Sequence, residues 1–253
     1  KLVVSVDTYN EGVHFPNFKY PNLVIKKIIR SSISDLIAKG VKPEYYFISG
    51  SGNKNQFTKK NLKLISKSLN QEQKKYSIDL CGGDTTFSKK LSFTITSVGF
   101  SNKIVFRNRA KLNDDIYVTG NLGDSFVGLK VLQKKIHLNK DLTKYFKERY
   151  YHPNLHLDIT KKLLSIANTS IDVSDGLVAD LEKLINKQKL SYKLFLQNIP
   201  ISKNLNKLIT LNIFKKITSM SCGDDYQILF TASPSKARII SKISKSLRIK
   251  ISK

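Results

Sequence analysis

The chain is poor in sulfur-containing residues and has no apolar segment that could cross a membrane. Its 253 residues include only two cysteines, Cys81 and Cys222, too few for a disulfide framework or for a zinc site of their own. We predict a reducing, cytoplasmic setting, with each thiol in a small buried position. No apolar run approaches the ~20 residues of a membrane-spanning helix, so no membrane partner is expected. The only methionine is Met220, so we expect a fragment or a processed product.

Negative charge is also scarce. The chain has 44 Lys+Arg against 19 Asp+Glu, a formal net charge of +25, and such a surplus is typical of nucleic-acid-binding proteins. However, only six of the basic residues are arginines, whereas base readout and bidentate phosphate contacts favour arginine. We therefore interpret the lysines as solvated residues on helix surfaces and expect no nucleic-acid partner. A basic nucleic-acid-binding module is the alternative from another class of function.

The few carboxylates carry most of the functional information. The chain has 14 aspartates but only five glutamates, and many of the aspartates lie beside Gly, Ser or Thr near the ends of predicted strands. Five such motifs occur, at Ser5–Thr8, Ser34–Leu36, Gly82–Thr86, Asp172–Gly176 and Cys222–Tyr226. Any one of them is equally well explained as a helix cap or a turn. Five together favour Mg²⁺ and phosphate chemistry, because converging carboxylates repel one another without a cation.

Strand and helix patterns alternate along the chain without an internal repeat, which predicts a mixed α/β protein. Apolar spacing predicts a helix over Asn22–Lys39 that Gly40 ends. A strand is predicted over Ser77–Cys81, ending in a Gly-Gly-Asp turn, and another over Tyr192–Leu196. We interpret Gly50–Lys54 as a flexible turn.

Taken in order, the acidic motifs resemble those of the thiamine-monophosphate kinase family, in the aminoimidazole-ribonucleotide-synthetase-like superfamily. The matching segments are Val4–Thr8, Glu11–Phe15, Ser34–Leu36, Gly82–Thr86, Asp115–Gly120, Leu122–Asp124, Ile171–Leu177, Gly223–Tyr226 and Leu229–Thr231. The resemblance implies two α/β lobes, 1–107 and 108–253, and a homodimer formed through the sheet of the N-terminal lobe. The family has further segments at both ends, so we expect the first lobe to be truncated at its start and the second at its end.

The same resemblance implies a reaction. It is the Mg²⁺-dependent, in-line transfer of the ATP γ-phosphate to thiamine monophosphate, which gives thiamine diphosphate in the last step of its biosynthesis. No covalent catalytic residue is implied, because phosphoryl transfer depends on positioning and charge neutralisation. The implied Mg²⁺ ligands are Asp7, Asp35, Asp84, Asp172 and Asp175; the implied ATP contacts are Gly83, Asp84, Arg107 and Ser174; the implied contacts to thiamine monophosphate are His14 and Asp224. A selenophosphate or aminoimidazole-ribonucleotide synthetase is the alternative within the superfamily.

Overall fold

The computed structural model describes all residues, Lys1–Lys253. They form two compact units: Lys1–Leu36 with Val41–Asn102, and Ile37–Gly40 with Lys103–Lys253. Each unit contains one four-stranded sheet with helices around it, so the predicted α/β class is confirmed. None of the helices combines the length and the apolar character that crossing a bilayer requires.

The sheet of the first unit has the strand order β1-β4-β2-β3. Its elements are β1 (Leu2–Asn10), α1 (Pro21–Ala38), β2 (Pro43–Gly52), α2 (Lys59–Tyr76), β3 (Asp79–Phe87) and β4 (Ser92–Phe100). The pairs β1/β4 and β4/β2 are antiparallel, whereas β2 and β3 are parallel. Strand β3 therefore lies at an edge and has a single neighbour.

Helix α1 covers one face of this sheet. From Val24 onward its apolar residues recur with helical spacing and are fully buried. The helix ends before Gly40, whose φ of +74° would be strained in a residue with a side chain. The Ser32 and Ser97 hydroxyls are hydrogen-bonded at 2.9 Å, which ties α1 to β4. A buried pair of hydrogen bonds joins Arg30 to Glu72 at 2.7 and 2.9 Å and ties α1 to α2. These contacts fix α1 beside the inner face of the sheet.

The other face of the first unit's sheet is open. Alternate residues of a strand point to opposite faces, and on β1 the residues Leu2 and Val6 are 62% and 61% exposed. Paired residues of neighbouring strands share a face, so Phe47 and Phe100, also exposed, belong to the same side. We call this side the open face; Ile95, buried, points to the inner face with α1.

The sheet of the second unit is antiparallel, in the order β6-β7-β5-β8. Its strands and α-helices are β5 (Asp115–Thr119), α3 (Asp124–Leu132), α4 (Lys140–Tyr151), α5 (Thr160–Ile166), β6 (Thr169–Asp172), α6 (Leu177–Leu184), α7 (Lys203–Thr210), α8 (Lys216–Met220), β7 (Ile228–Ala232), α9 (Ala237–Leu247) and β8 (Ile251–Ser252). Short 3-10 helices cover Leu157–Ile159, Leu196–Asn198 and Pro234–Lys236. The main core lies where α6 packs with β5, β6 and β7.

Several local predictions were wrong. The segment Tyr192–Leu196 is not a strand, because it pairs with no other strand; its alternate apolar residues pack instead on the core beside α6. The first part of Gly50–Lys54 is not a turn, since Gly50–Gly52 end strand β2 and pair with β3. Cys81 is exposed, not buried, and Cys222 is partly exposed.

Candidate functional site

Asp7 and Asp35 come together on the inner face of the first unit. The Ser5 hydroxyl donates to Asp35 Oδ2 at 2.6 Å, with Asp7 Oδ2 at 3.5 Å. Burial, together with the charge of Asp35, raises the pKa of Asp7 to about 6, although hydrogen bonds from Ser32 and Ser5 act in the opposite direction. The structure thus brings together two predicted metal ligands whose negative charges repel each other.

Asp84 and Gly83 lie within strand β3. The predicted Gly-Gly-Asp turn is wrong, because β3 pairs with β2 as far as Phe87. A Cβ on Gly83 would be 1.7 Å from the carbonyl oxygen of Ile48, so only glycine permits this pairing. Asp84 pairs with Ser49 and lies on the open face, whereas Asp7 lies on the inner face. Asp84 is exposed and accepts the N–H of Thr85 at 2.8 Å.

His14 lies in the exposed turn that follows β1. Its Nδ1 accepts the backbone N–H of Asn10 at 3.0 Å, and its ring packs edge-on against Tyr9. Accepting this bond at Nδ1 places a proton on Nε2 in the neutral ring. His14 is therefore held by its own turn in a defined orientation.

In the second unit, two of the acidic motifs are hydrogen-bonded to each other. The Val173 N–H donates to the Gln227 carbonyl, and the Val173 carbonyl accepts from Tyr226, both at 2.8 Å. One residue further on, the Ser174 carbonyl accepts the N–H of Asp224 at 2.9 Å. A Cβ on Gly223 would be 1.7 Å from that Ser174 oxygen. We call Asp172–Gly176 and Cys222–Gln227 the paired loops.

Asp172 and Asp175 sit differently within the first of the paired loops. Asp172 ends β6 and is 4% exposed. The Asp175 side chain is 64% exposed and forms an ion pair with Lys183 of α6. Asp180, which the sequence motifs did not single out, is fully buried, and its Oδ2 accepts the N–H groups of Asp175 and Gly176 at 2.8 and 3.1 Å. Asp180 therefore holds the loop backbone.

Asp224 and Asp225 have opposite surroundings. Asp224 has a φ of +68° and accepts a hydrogen bond from the Tyr226 hydroxyl at 3.0 Å. Asp225 is buried and accepts the N–H of Gly123 at 2.7 Å at the start of α3. Burial is the largest cause that raises the pKa of Asp225, and with the nearby charges of Asp124 and Asp224 it brings this pKa to about 8. Backbone hydrogen bonds to the Asp225 carboxylate act in the opposite direction. The sequence analysis assigned no role to Asp225, because two adjacent aspartates cannot be distinguished before the burial of each is known.

Arg107 lies in an exposed segment of the second unit. The segment is anchored on both sides: Thr169 donates to the Phe106 carbonyl at 2.7 Å, and the Asn108 N–H donates to the Leu184 carbonyl at 2.9 Å. Arg109 lies over the Phe106 ring, 4.1 Å from its centroid. The backbone at Arg107 is therefore fixed while its side chain faces solvent.

The acid groups fit a hard divalent cation in part. No group of three or more His, Cys, Asp or Glu side chains lies close enough to hold a metal ion. Nevertheless, Asp7 and Asp35 offer two neighbouring carboxylates that repel each other. In the second unit, the ammonium group of Lys183 already forms an ion pair with Asp175. Carboxylate oxygens are the ligands that Mg²⁺ prefers, with substrate phosphates and water completing its coordination. The donor type is therefore one that Mg²⁺ prefers, and the metal itself stays a prediction.

A separate cavity of about 680 Å³ lies in the second unit. Its lining includes the apolar Leu177 and Leu181 of α6, and also Asp115 and Lys253, which form an ion pair at 2.8 Å. None of the predicted site residues lines it.

Comparisons with known proteins give related sequences and structures. A family model described as AIR synthase related protein, N-terminal domain, matches residues 1–101. The thiamine-monophosphate kinase of Buchnera aphidicola subsp. Schizaphis graminum is 35% identical over 255 residues, covering 100% of this chain and 77% of that protein. The thiamine-monophosphate kinase structure from Stenotrophomonas maltophilia K279a has a TM-score of 0.89 at 28% identity, covering 100% of this chain and 81% of that chain.

A further structure carries ligands. A ThiL protein complexed with AMPPCP and TMP has a TM-score of 0.89 and 27% identity, covering 99% of this chain and 79% of that chain. Together these likenesses confirm the predicted synthetase-like fold class.

Proposed function

This chain belongs to the thiamine-monophosphate kinase family, and from that premise we propose that it transfers the ATP γ-phosphate directly to thiamine monophosphate. The predicted family and enzyme class, a phosphotransferase, are confirmed. In the proposed step a phosphate oxygen of thiamine monophosphate attacks the γ-phosphorus. The new P–O bond forms as the bond to the β–γ bridging oxygen breaks, and ADP leaves. Thiamine diphosphate is then the product, in the last step of its biosynthesis, in the cytoplasm.

The observation that carries this proposal is the contact between the paired loops. Ser174, the expected ATP contact, and Asp224, the expected contact to thiamine monophosphate, share a backbone hydrogen bond of 2.9 Å. Two reactants held by adjacent residues react as a unimolecular pair, which is the main contribution of protein to phosphoryl transfer. Arg107, on its anchored segment, and the Gly83 backbone are proposed as further ATP contacts, and His14 as a further contact to thiamine monophosphate.

The proposed reaction depends on Mg²⁺. Asp7, Asp35 and Asp84 of the first unit and Asp172 and Asp175 of the second are the proposed ligands. When bound, Mg²⁺ would neutralise phosphate charge. Ser5 orients the Asp35 carboxylate, and Asp180 fixes the backbone from which Asp175 projects.

We also propose that the open face is covered by a second copy of this chain, giving a homodimer. Val4, Val6, Phe47 and Phe100 are 43–61% exposed on it, and continuous apolar surface of this kind marks interfaces. In a chain with 38 lysines, the strand register places no lysine on this face, so two copies can meet there despite their net charge. Light scattering tests the proposal; a mass equal to one chain would contradict it.

The activity is tested directly by incubating the protein with Mg²⁺, ATP and thiamine monophosphate and separating the products by chromatography. We expect thiamine diphosphate and ADP only when all three are present. ATP binding without product would contradict the kinase and favour a sister synthetase. Steeply salt-dependent RNA or DNA binding without ATP binding would favour the nucleic-acid module.

The residue roles are tested with Asp84→Asn and Asp172→Asn. Each should lower kcat/KM about 100-fold or more, because a charge that neutralises phosphate is lost. Asp141→Asn on α4 is the matched control, since Asp141 is an exposed acid outside the proposed site. Near-normal activity of both site variants would refute the metal assignment.

A further inference from the structure

Lys183 is a basic residue in direct contact with a proposed metal ligand. It lies on α6, and its ammonium group contacts the carboxylate of Asp175 and, at 2.8 Å, Oδ1 of Asp180. The Lys183 side chain is 39% exposed, whereas Asp180 is fully buried. One lysine thus bridges the acid that holds the loop and the acid that projects from it.

The position of this ammonium group is set by Asp180. The other carboxylate oxygen of Asp180 is bonded to two backbone N–H groups, of Asp175 and Gly176, so it cannot turn away. Lys183 follows Asp180 by three residues on the same helix, which places the two side chains next to each other. The lysine is therefore held in place.

A divalent cation on Asp175 must compete with this ammonium group. Both cations require the same carboxylate, and two positive charges a few ångströms apart repel. We propose that Lys183 is the resident counter-ion of Asp175, which a divalent metal must displace, and that it thereby sets the metal affinity of the first of the paired loops. The inference rests on the proposed function, which makes Asp175 a metal ligand.

Displacement is a swap between two bonding patterns. Without metal, Lys183 neutralises the Asp175 and Asp180 charges and holds the exposed Asp175 side chain against α6. With metal, Asp175 turns to the cation, and Lys183 keeps only its bond to Asp180. Lys183 is thus a positioning residue, because it acts on the phosphates only through the acid it holds.

The test measures Mn²⁺ binding to the full chain by electron paramagnetic resonance of the free ion, without ATP or thiamine monophosphate. We expect Lys183→Met to bind Mn²⁺ about tenfold more tightly, because a neighbouring positive charge is removed. Lys183→Arg, which keeps the charge, and Lys189→Met, which removes an exposed lysine just after α6, should match the parent. Unchanged or weaker binding by Lys183→Met would overturn the proposal.

A second measurement needs no variant. Acetylation of Lys183 by a reactive ester, read by peptide mass spectrometry, should rise severalfold when Mg²⁺ is added, while Lys189 reacts as before. Equal labelling of Lys183 with and without Mg²⁺ would overturn the proposal even where a variant fails to fold.

The variant Asp175→Asn distinguishes the counter-ion role of Lys183 from the metal-ligand role of Asp175. If it weakens Mn²⁺ binding while Lys183→Met has no effect, the counter-ion role fails and the metal ligand stands. If Asp175→Asn leaves Mn²⁺ binding unchanged, the proposed role of Asp175 itself fails. In the double variant Asp175→Asn with Lys183→Met, the tenfold gain should disappear.

Discussion

The two units hold their acidic residues in different ways. In the first unit, Asp7 and Asp35 lie on a regular strand and helix, and the Ser5 hydroxyl is within hydrogen-bonding distance of both carboxylates. In the second unit, the acids lie on the paired loops. The buried Asp180 holds the backbone of the first loop, and the buried Asp225 joins the second loop to the start of α3. The first unit leaves a carboxylate repulsion for a cation to relieve, whereas the second shapes its loops with its own hydrogen bonds.

The largest expected effect distinguishes two glycines that make the same close approach. A Cβ would be 1.7 Å from a carbonyl oxygen at both Gly223 and Gly83. Strand β3 has a single neighbour and can shift, but the paired loops cannot separate without losing several hydrogen bonds. We expect Gly223→Ala to lower the free energy of unfolding by about 3 kcal/mol or more and Gly83→Ala by about 1–2 kcal/mol.

Denaturant titration measures both values. Gly12→Ala is the control for backbone strain alone, since Gly12 has a φ of +82° with nothing within 4 Å of an added Cβ. It should cost about 1 kcal/mol. Equal losses at Gly223 and Gly83 would contradict the idea that the paired loops are held more firmly than strand β3.

The next effect is a pH dependence of stability in both units. Burial raises the pKa of Asp225 from 3.8 to about 8 and is the main cause that raises the pKa of Asp7 to about 6. For either acid the folded state binds the proton more tightly than the unfolded chain, so its contribution to stability is complete below pH ~4. That contribution is lost as pH rises, through about 6 for Asp7 and through about 8 for Asp225.

The measurement compares the free energy of unfolding of the parent with Asp7→Asn and Asp225→Asn between pH 4 and pH 9, a range chosen to span both windows. Relative to its Asn variant, the parent should lose stability across the window of the acid removed. Added Mg²⁺ should abolish the dependence at Asp7, because a cation favours the charged carboxylate, and leave that at Asp225. An effect of Mg²⁺ on the pH dependence at both acids would contradict the difference between the two units.

The smallest effects come from two hydroxyls. Ser5→Ala removes the bond to Asp35 in the first unit, and Tyr226→Phe removes the bond to Asp224 in the second. Each bond contributes about 1 kcal/mol, so kinetic changes should stay below about tenfold. Ser5→Ala should raise the Mg²⁺ concentration needed for half-maximal rate, and Tyr226→Phe should raise KM for thiamine monophosphate. If Ser5→Ala instead raised KM for thiamine monophosphate and Tyr226→Phe raised the Mg²⁺ requirement, the roles proposed for the two acid groups would be wrong.

Much of the architecture follows from local sequence. The apolar spacing of α1 and the glycine after it placed that helix to within a residue at each end, because helix ends depend on neighbouring residues. Strand β3 was harder, since its Gly-Gly-Asp segment looks like a turn until β2 lies beside it and supplies the hydrogen bonds. The alternating pattern in Tyr192–Leu196 predicted a strand that is not there. No partner strand lies beside this segment, and the alternation reflects the packing of its side chains on the core.

The sequence by itself determined the mixed α/β class, the kinase family and the set of acidic motifs, because these depend on residue type and order. The tertiary structure alone decided what each acid does. It buried Asp180 and Asp225 as backbone acceptors, put Asp84 and Asp7 on opposite faces of one sheet, and placed Lys183 against Asp175. Burial, strand register and helix packing depend on residues distant in the chain, and these decide whether a carboxylate holds the fold or remains available to a ligand.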